Sequence, residues 1–257
     1  MKIFLSAIEG ATSSKGAGIT ELAKYIVDKG IKMKYNLMSY YYIRKKKQLA
    51  EYIRDNSEEI MIDSGAHSFQ KGAKVDWVEY TKEYAEFIKE FDRPNVVGYF
   101  EMDVDNMIGY SKVLELRAIL EEVSDKIIPV WHKNRGIDGF EQMCKDYSGK
   151  VVAITGWQNM EIKDSQFAMF LKCAKKYGCK VHCLGMTRRK ILDTVPFDYA
   201  DSSSWVQSSI YGRIDNKGKV TREFSKTSRE KVFFENYLEG MKMQEHYHRR
   251  WRKVCKD

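Results

Sequence analysis

The chain is predicted to fold as one α/β domain over residues 1–257, a (β/α)8 TIM barrel ending in a basic C-terminal helix at about 226–257. Three observations predict this class. Eight short apolar runs alternate with longer stretches, most of them of helical spacing. The runs are largely continuous rather than alternating, as expected of strands buried on both faces of a parallel sheet. No Gly-rich dinucleotide fingerprint follows the first run, which argues against a doubly wound open sheet.

The runs are KIFLSA around Ile3, YNLMSYYY around Leu37, EIMIDS around Ile62 and VVGYFEMD around Val97. The second four are IIPVWH around Val130, VVAITG around Val152, KVHCLG around Val181 and FDYADS around Tyr199. Between them, TELAKYIVDKG starts on a polar residue and stops at a glycine, the start and stop signals of a helix. WVEYTKEYAEFIKEF, SKVLELRAILEEV and DSQFAMFLKCAKKYG repeat apolar residues at three and four, and the last ends at Gly178. Between Gly185 and Phe197 there is room only for a short helix. After Asp201 the sequence reads as an exposed polar loop and then a long helix, with no repeat and no second domain.

With 257 residues and 43% hydrophobic content the chain can bury a substantial core. Lys+Arg number 44 against Asp+Glu 36, a net charge of +8 that suits an anionic partner. Part of that charge is clustered, at Arg44, Lys45, Lys46 and Lys47 and in the tail HYHRRWRKVCK. Each run reads either as a solvated helix face or as a phosphate contact. The five cysteines are odd in number and irregular in spacing, which predicts free thiols in a reducing compartment. Cys179 and Cys183 have His182 between them, but the segment KVHCLGM reads as a strand, where neighbours point to opposite faces, so buried thiols are preferred to a metal site. No apolar run is long enough to span a membrane and no signal peptide is visible, so a cytoplasmic location is expected (the host-cell cytoplasm if the protein is viral).

In such barrels the chemistry sits at the C-terminal ends of the strands. Those ends carry Asp63, Asp103 with Asp105, His132, Gly156 with Trp157, Leu184 with Gly185, and Asp201. Any one aspartate reads as a helix cap, and Asp105 before Asn106 suits that role. Four on one rim exceed what caps require. Paired carboxylates suit attack on a sugar carbon, one as nucleophile and the other moving a proton.

With these residues the chain resembles the tRNA-guanine transglycosylase superfamily. Within it the chain is similar to the short viral and bacterial DpdA-like branch, which exchanges guanine in DNA for a 7-deazaguanine. The resemblance spans about residues 60 to 205 and is carried by Asp63-Ser64-Gly65, Asp103, His132, Thr155-Gly156-Trp157, Leu184-Gly185 and Phe197-Asp198-Tyr199-Ala200-Asp201, in that order. Three features depart from the family. No Cys/His zinc subdomain can follow Asp201, where only Cys255, His246 and His248 remain. Ser202-Ser203-Ser204-Trp205 replaces Pro-Thr-Arg, and His67, with Phe69 beyond it, stands where an aromatic is expected.

The resemblance implies base exchange through a covalent glycosyl-aspartate on Asp201, with Asp63 as acid and base. It implies a pocket of Asp103, His132 and the Gly156 backbone for the base edges. Ser64, Phe69, Trp157, Leu184 and Gly185 would line the same pocket. Arg188, Arg189 and Lys190, with Arg44, Lys45 and Lys46, would hold phosphates. The implied partners are a nucleic acid, DNA favoured over tRNA, and a 7-deazaguanine base such as preQ0 or preQ1, with no cofactor and no metal. The target base must be flipped out or single-stranded, and an accessory protein that opens the duplex is compatible with this reading. Two other classes fit parts of the sequence. One is a metal-dependent barrel hydrolase using the rim carboxylates with His67 or His132. The other is a non-catalytic nucleic-acid-binding protein.

Overall fold

The computed structural model describes residues 1–9, 20–69, 75–156, 160–186, 188–211, 213–216, 219–222 and 226–255. Its centre is a parallel sheet of β1 (Lys2–Ser6), β2 (Met33–Ser39), β3 (Ser57–Asp63), β4 (Val96–Phe100), β5 (Ile127–Ile128), β6 (Val130–Trp131), β7 (Val151–Thr155), β8 (Lys180–Leu184) and β9 (Tyr199–Ser202). The strand order is β5-β4-β3-β2-β1-β9-β8-β7-β6. Its two end strands are the halves of one segment split by Pro129, so the nine strands are eight staves and the sheet meets itself. Proline has no N–H to give to a ladder. The half before it bonds β4, with Glu101 N–H on the Ile128 carbonyl (3.1 Å), and the Pro129 carbonyl accepts from Ala153 N–H of β7 (2.8 Å). The buried Glu101 carboxylate takes the Val130 N–H (2.6 Å) and is itself held by Arg117 (2.6 and 3.1 Å).

The helices are α1 (Thr20–Asp28), α2 (Tyr40–Ile43), α3 (Lys47–Asp55), α4 (Trp77–Phe91), α5 (Asp105–Ile108), α6 (Tyr110–Glu121), α7 (Gly136–Asp146), α8 (Phe167–Lys176), α9 (Arg189–Leu192), α10 (Ser204–Ile210) and α11 (Lys226–Trp251). The four-residue α9 is the short helix expected before the last strand. Two apolar layers fill the space between strands and helices, and a third lies inside the barrel around Phe4, Leu37, Met61, Phe100, Val130, Ala153 and Tyr199. Strand side chains alternate, so the residue two beyond an interior position also points inward, one layer nearer the mouth, except after β4, where the strand ends at Phe100 and Met102 packs in the layer under the helices. That rule puts Ser6, Ser39, Asp63, His132, Thr155 and Asp201 on one rim.

The segment after Asp201 differs from the expected loop. Ser202 Oγ accepts the Ser204 N–H (3.2 Å) and starts α10, and Trp205 Nε1–H bonds the Ser6 carbonyl (3.0 Å), fastening this turn to the tip of β1. An antiparallel hairpin follows, β10 (Arg213–Asn216) and β11 (Lys219–Arg222). The terminal helix also differs from an appendage, because α11 packs on the barrel's outer wall as part of its helical layer. Gly240 permits the approach, since a Cβ there would lie 2.8 Å from Leu5 Cδ1. Gln244 bonds the Ile3 and Tyr35 carbonyls and Tyr237 bonds Asn36. The basic end of α11 therefore lies at the opposite end from the rim, with Arg250 on the Asp193 carbonyl and Glu245 between Lys34 and Arg249. No described helix is long and apolar enough to cross a membrane.

Candidate active site

Asp201 is on β9, two residues beyond the interior Tyr199. Its Oδ1 accepts from the Gly185 N–H (2.9 Å) and lies 3.0 Å from His182 Nε2; Oδ2 accepts from Ser6 Oγ (2.9 Å). Gly185 presents its N–H from the left-handed region (φ 63°), which explains a glycine directly after β8. His182 is fully buried, with its ring among Phe4, Phe100 and Tyr199, and among the described residues its Nδ1 has no partner. A carboxylate oxygen can only accept, so Nε2–H is the donor in this bond. A carboxylate oxygen accepts about two hydrogen bonds. Oδ1 is therefore filled, and Oδ2 keeps one lone pair for the mouth.

Asp63 ends β3 with its carboxylate folded onto the Gly65 N–H (3.0 Å). Gly65 has φ 74°, and a Cβ there would lie 2.4 Å from Tyr41 Cβ and 2.6 Å from Ser39 Oγ, so this turn accepts only glycine. Burial pushes the Asp63 carboxyl up to about 6; the charges of Asp103 and Asp201 add to the rise, while His67 and the Gly65 N–H oppose it. Asp63 and Asp201 thus share one end of the barrel, face inward and feel each other's charge. Beside them stands Glu9, just beyond β1. It is fully buried, and its Oε1 accepts the Ser39 N–H (2.8 Å). Among the described residues its Oε2 has no partner, and burial pushes this carboxyl up to about 7. The sequence reading missed Glu9, although an acid two residues beyond the first apolar run was its signal.

On the far side of the mouth Asp103 carries two histidines. His132 Nε2 bonds its Oδ1, and His67 Nε2 lies 2.8 Å from Oδ2. His132 Nδ1 in turn lies 2.8 Å from Glu161 Oε1, and Glu161 also takes the Lys133 N–H (2.9 Å). Burial opposes charge at Asp103, but the histidine bonds outweigh it and hold the carboxyl well below its usual range. Burial likewise works against the His132 cation, and its two carboxylate partners outweigh that and raise it to about 10. His132 is therefore a cation with both ring nitrogens engaged. It buttresses Asp103, and a base edge could reach it only by displacing one of these bonds. His67 is different, because its side chain is 73% exposed and can swing aside. Glu161 went unread in the sequence because it lies outside the predicted strand tips.

The remaining rim residues divide. Gly156 packs against Cys183 and Met186, where a Cβ would lie 2.6 and 2.7 Å away. Its N–H is taken by the Leu184 carbonyl (2.8 Å) and its own carbonyl accepts from Arg188 Nη2 (3.4 Å), so both backbone groups are engaged. Leu184 packs against the interior cluster. Ser64 is buried, its Oγ has no partner among the described residues, and its carbonyl accepts from Tyr80. Phe69 sits in an aromatic group with Tyr41, Trp77 and Tyr80, centroids 5.0–5.3 Å apart, outside the mouth. Trp157 lies outside the described residues. Asp105 makes no cap bond; it is buried and faces Asn134 and Arg135, each at 3.5 Å. Arg188 pairs with Asp164, while Arg189 and Lys190 are exposed. Arg44 lies over the Tyr41 and Tyr80 rings (5.4 Å each) and 3.7 Å from Glu83, Lys45 is exposed, and Lys46 is near enough for its charge to lower Glu9. These two basic segments follow β8 and β2, which flank β9 and β1 in the sheet.

The mouth thus holds an anchored carboxylate with one free lone pair, a second carboxyl that changes charge near neutrality, and an acceptor carboxylate braced by histidines. Such a set suits displacement at a carbon with proton transfer to or from a leaving group. Among the described residues no group of three or more His, Cys, Asp or Glu side chains is disposed to hold a metal ion. No family model and no curated protein matches the chain.

Proposed function

We propose that the protein is a base-exchange transglycosylase that replaces guanine in a nucleic acid, DNA favoured, with a 7-deazaguanine. The observation that carries this reading is the unequal carboxyl pair on one rim. Asp201 is held by hydrogen bonds on both oxygens, while Asp63 keeps a proton up to about pH 6. In the first half-reaction Asp201 Oδ2 bonds to C1′ as the C1′–N9 bond breaks. The electron pair leaves with guanine and Asp63 gives it a proton. In the second, the incoming deazapurine loses a proton to Asp63, its nitrogen bonds to C1′, and the C1′–Oδ2 bond breaks. Atoms and charge balance over the cycle, and Asp63 returns to its starting state.

Asp103 suits the purine N1–H and exocyclic amine, because each of its oxygens has accepted one bond and can accept a second. Movement of the exposed His67 would widen that opening. The exposed cations after β2 and β8 suit the phosphates on either side of the flipped nucleotide.

The test is incubation of the protein with labelled guanine, or with preQ0 or preQ1, and with DNA or tRNA. Label should enter the polymer with the wild-type protein, and Asp201→Ala should abolish both incorporation and a trapped protein–nucleic acid adduct. Unchanged incorporation by Asp201→Ala would remove the proposed nucleophile.

A further inference from the structure

Two histidines hold Asp103, and they hold it in unequal ways. His132 is buried and fixed from its far side by Glu161, so its bond to Oδ1 belongs to the frame of the barrel. The His67 side chain is 73% exposed, and the Asp103 side chain that it bonds is only 10% exposed, so the His67 ring lies on the solvent side of the carboxylate. Among the described residues, the contact with Oδ2 (2.8 Å) is the only hydrogen bond of that ring. The backbone that carries it is pinned on both sides. Gly65 turns the chain through the left-handed region, the Ser68 N–H bonds the Gly65 carbonyl (2.9 Å), and Phe69 is packed among Tyr41, Trp77 and Tyr80. What can move is the side chain alone, and exposed side chains change rotamer within nanoseconds.

Charge sets how firmly the ring is held. Its bond to Asp103 raises the proton affinity of the imidazole. Desolvation on the side facing the mouth opposes the rise, the charges of Asp103 and Asp63 add to it, and that of His132 works against it. A cation that is favoured by the contact also strengthens the contact, because a charged donor makes the stronger hydrogen bond to a carboxylate. The grip on Oδ2 therefore tightens as pH falls and loosens as pH rises. A purine edge brings two neighbouring N–H donors to the two oxygens of Asp103, and one of those oxygens lies under the His67 ring.

We propose that His67 is a latch on the base pocket: its ring covers one oxygen of Asp103, and an entering base swings the ring out and takes its place. The inference rests on the reading of Asp103 as the group that receives the base, and it adds the residue that guards it. His132, braced by Glu161, stays in position through the exchange and keeps the carboxylate aimed.

The test is isothermal titration calorimetry of guanine and of preQ0 with the wild-type protein, His67→Ala and His67→Gln, from about pH 5.5 to about pH 8, the span over which a histidine changes charge. At the acid end His67→Ala should bind either base about fivefold more tightly than wild type, the upper worth of an exposed ion pair. That advantage should shrink towards the alkaline end. His67→Gln keeps an uncharged N–H donor, so its affinity relative to His67→Ala should not change with pH. Asp63 and Glu9 are present in all three proteins, so the ratios isolate His67. Histidine-ring NMR supplies a second readout. Added base should move the His67 resonances towards those of a free, exposed ring and leave His132 in place. Weaker binding by His67→Ala would overturn the proposal, because the ring would then be a wall of the pocket. So would equal affinities at every pH, or a wild-type protein that binds neither base. Base binding that follows the expected ratios, with no label entering a polymer, leaves the latch standing and removes the transglycosylase reading. Label incorporation with equal affinities in all three proteins does the reverse.

Discussion

Replacing Glu9 by glutamine should stabilise the protein, and the gain should grow with pH. Glu9 is fully buried, and its carboxyl is pushed from 4.5 to about 7 by burial, with a further push from Asp63 and an opposing pull from Lys46. The folded state therefore binds this proton more tightly than the unfolded chain does. Stability from this group is full below about pH 4.5 and is lost as pH rises through about 7. A shift of about 2.5 pH units corresponds to about 3 kcal/mol once both states are ionised. Glutamine cannot ionise, and it keeps an oxygen for the Ser39 N–H. The advantage of Glu9→Gln over wild type should thus widen by about 2 kcal/mol between about pH 5 and about pH 8. Urea titrations at the two pH values read this difference directly, and Asp63, present in both proteins, largely cancels. In thermal melts the extra gain should appear as about 4–8 °C. A gap between the two proteins that stays constant with pH would refute the reasoning, since it would mean that Glu9 ionises as freely folded as unfolded.

Gly65→Ala should cost about 2–4 kcal/mol and displace Asp63, because left-handed strain adds to overlap with Tyr41 and Ser39; Gly30→Ala (φ 71°, open space) carries the strain alone and should cost clearly less in the same denaturation assay. Formation of the glycosyl-enzyme should fall as pH rises through about 6, since Asp63 must carry a proton to release guanine; single-turnover trapping across pH would show it, and a flat profile would exclude Asp63 as the acid. Arg117→Met should cost about 3–5 kcal/mol, measured by urea melts, because it strands the buried Glu101 carboxylate at the break in the barrel wall. His182→Phe should slow adduct formation, whereas His182→Gln, which keeps an N–H donor, should restore part of it.

Much of the fold was legible because it is local. The apolar runs around Ile3, Leu37, Ile62, Val97, Val152, Val181 and Tyr199 each became one strand, and WVEYTKEYAEFIKEF became α4. The run IIPVWH was also found, but its division at Pro129 follows from a missing N–H that only a ladder exposes. The helices KQLAEYIRD and GIDGFEQMCKD were missed, the first inside a basic run and the second behind two glycines. The residues after Asp201 read as a polar loop, because the hairpin draws its support from α10 and α11 rather than from its own pattern.

The order of residues along the chain determined which acids stand at strand tips, since a tip is marked by its own run and side-chain alternation is a property of one strand. Their partners were decided by closure of the barrel. Asp201 meets Ser6 from 195 residues away, Asp103 meets His132 across 29, and the basic tail of α11 is carried to the end remote from the rim. Hydrogen bonds and charge act over a few ångströms of space, whatever the distance along the chain. The proton affinities of Glu9, Asp63 and Asp103 are therefore properties of the folded mouth.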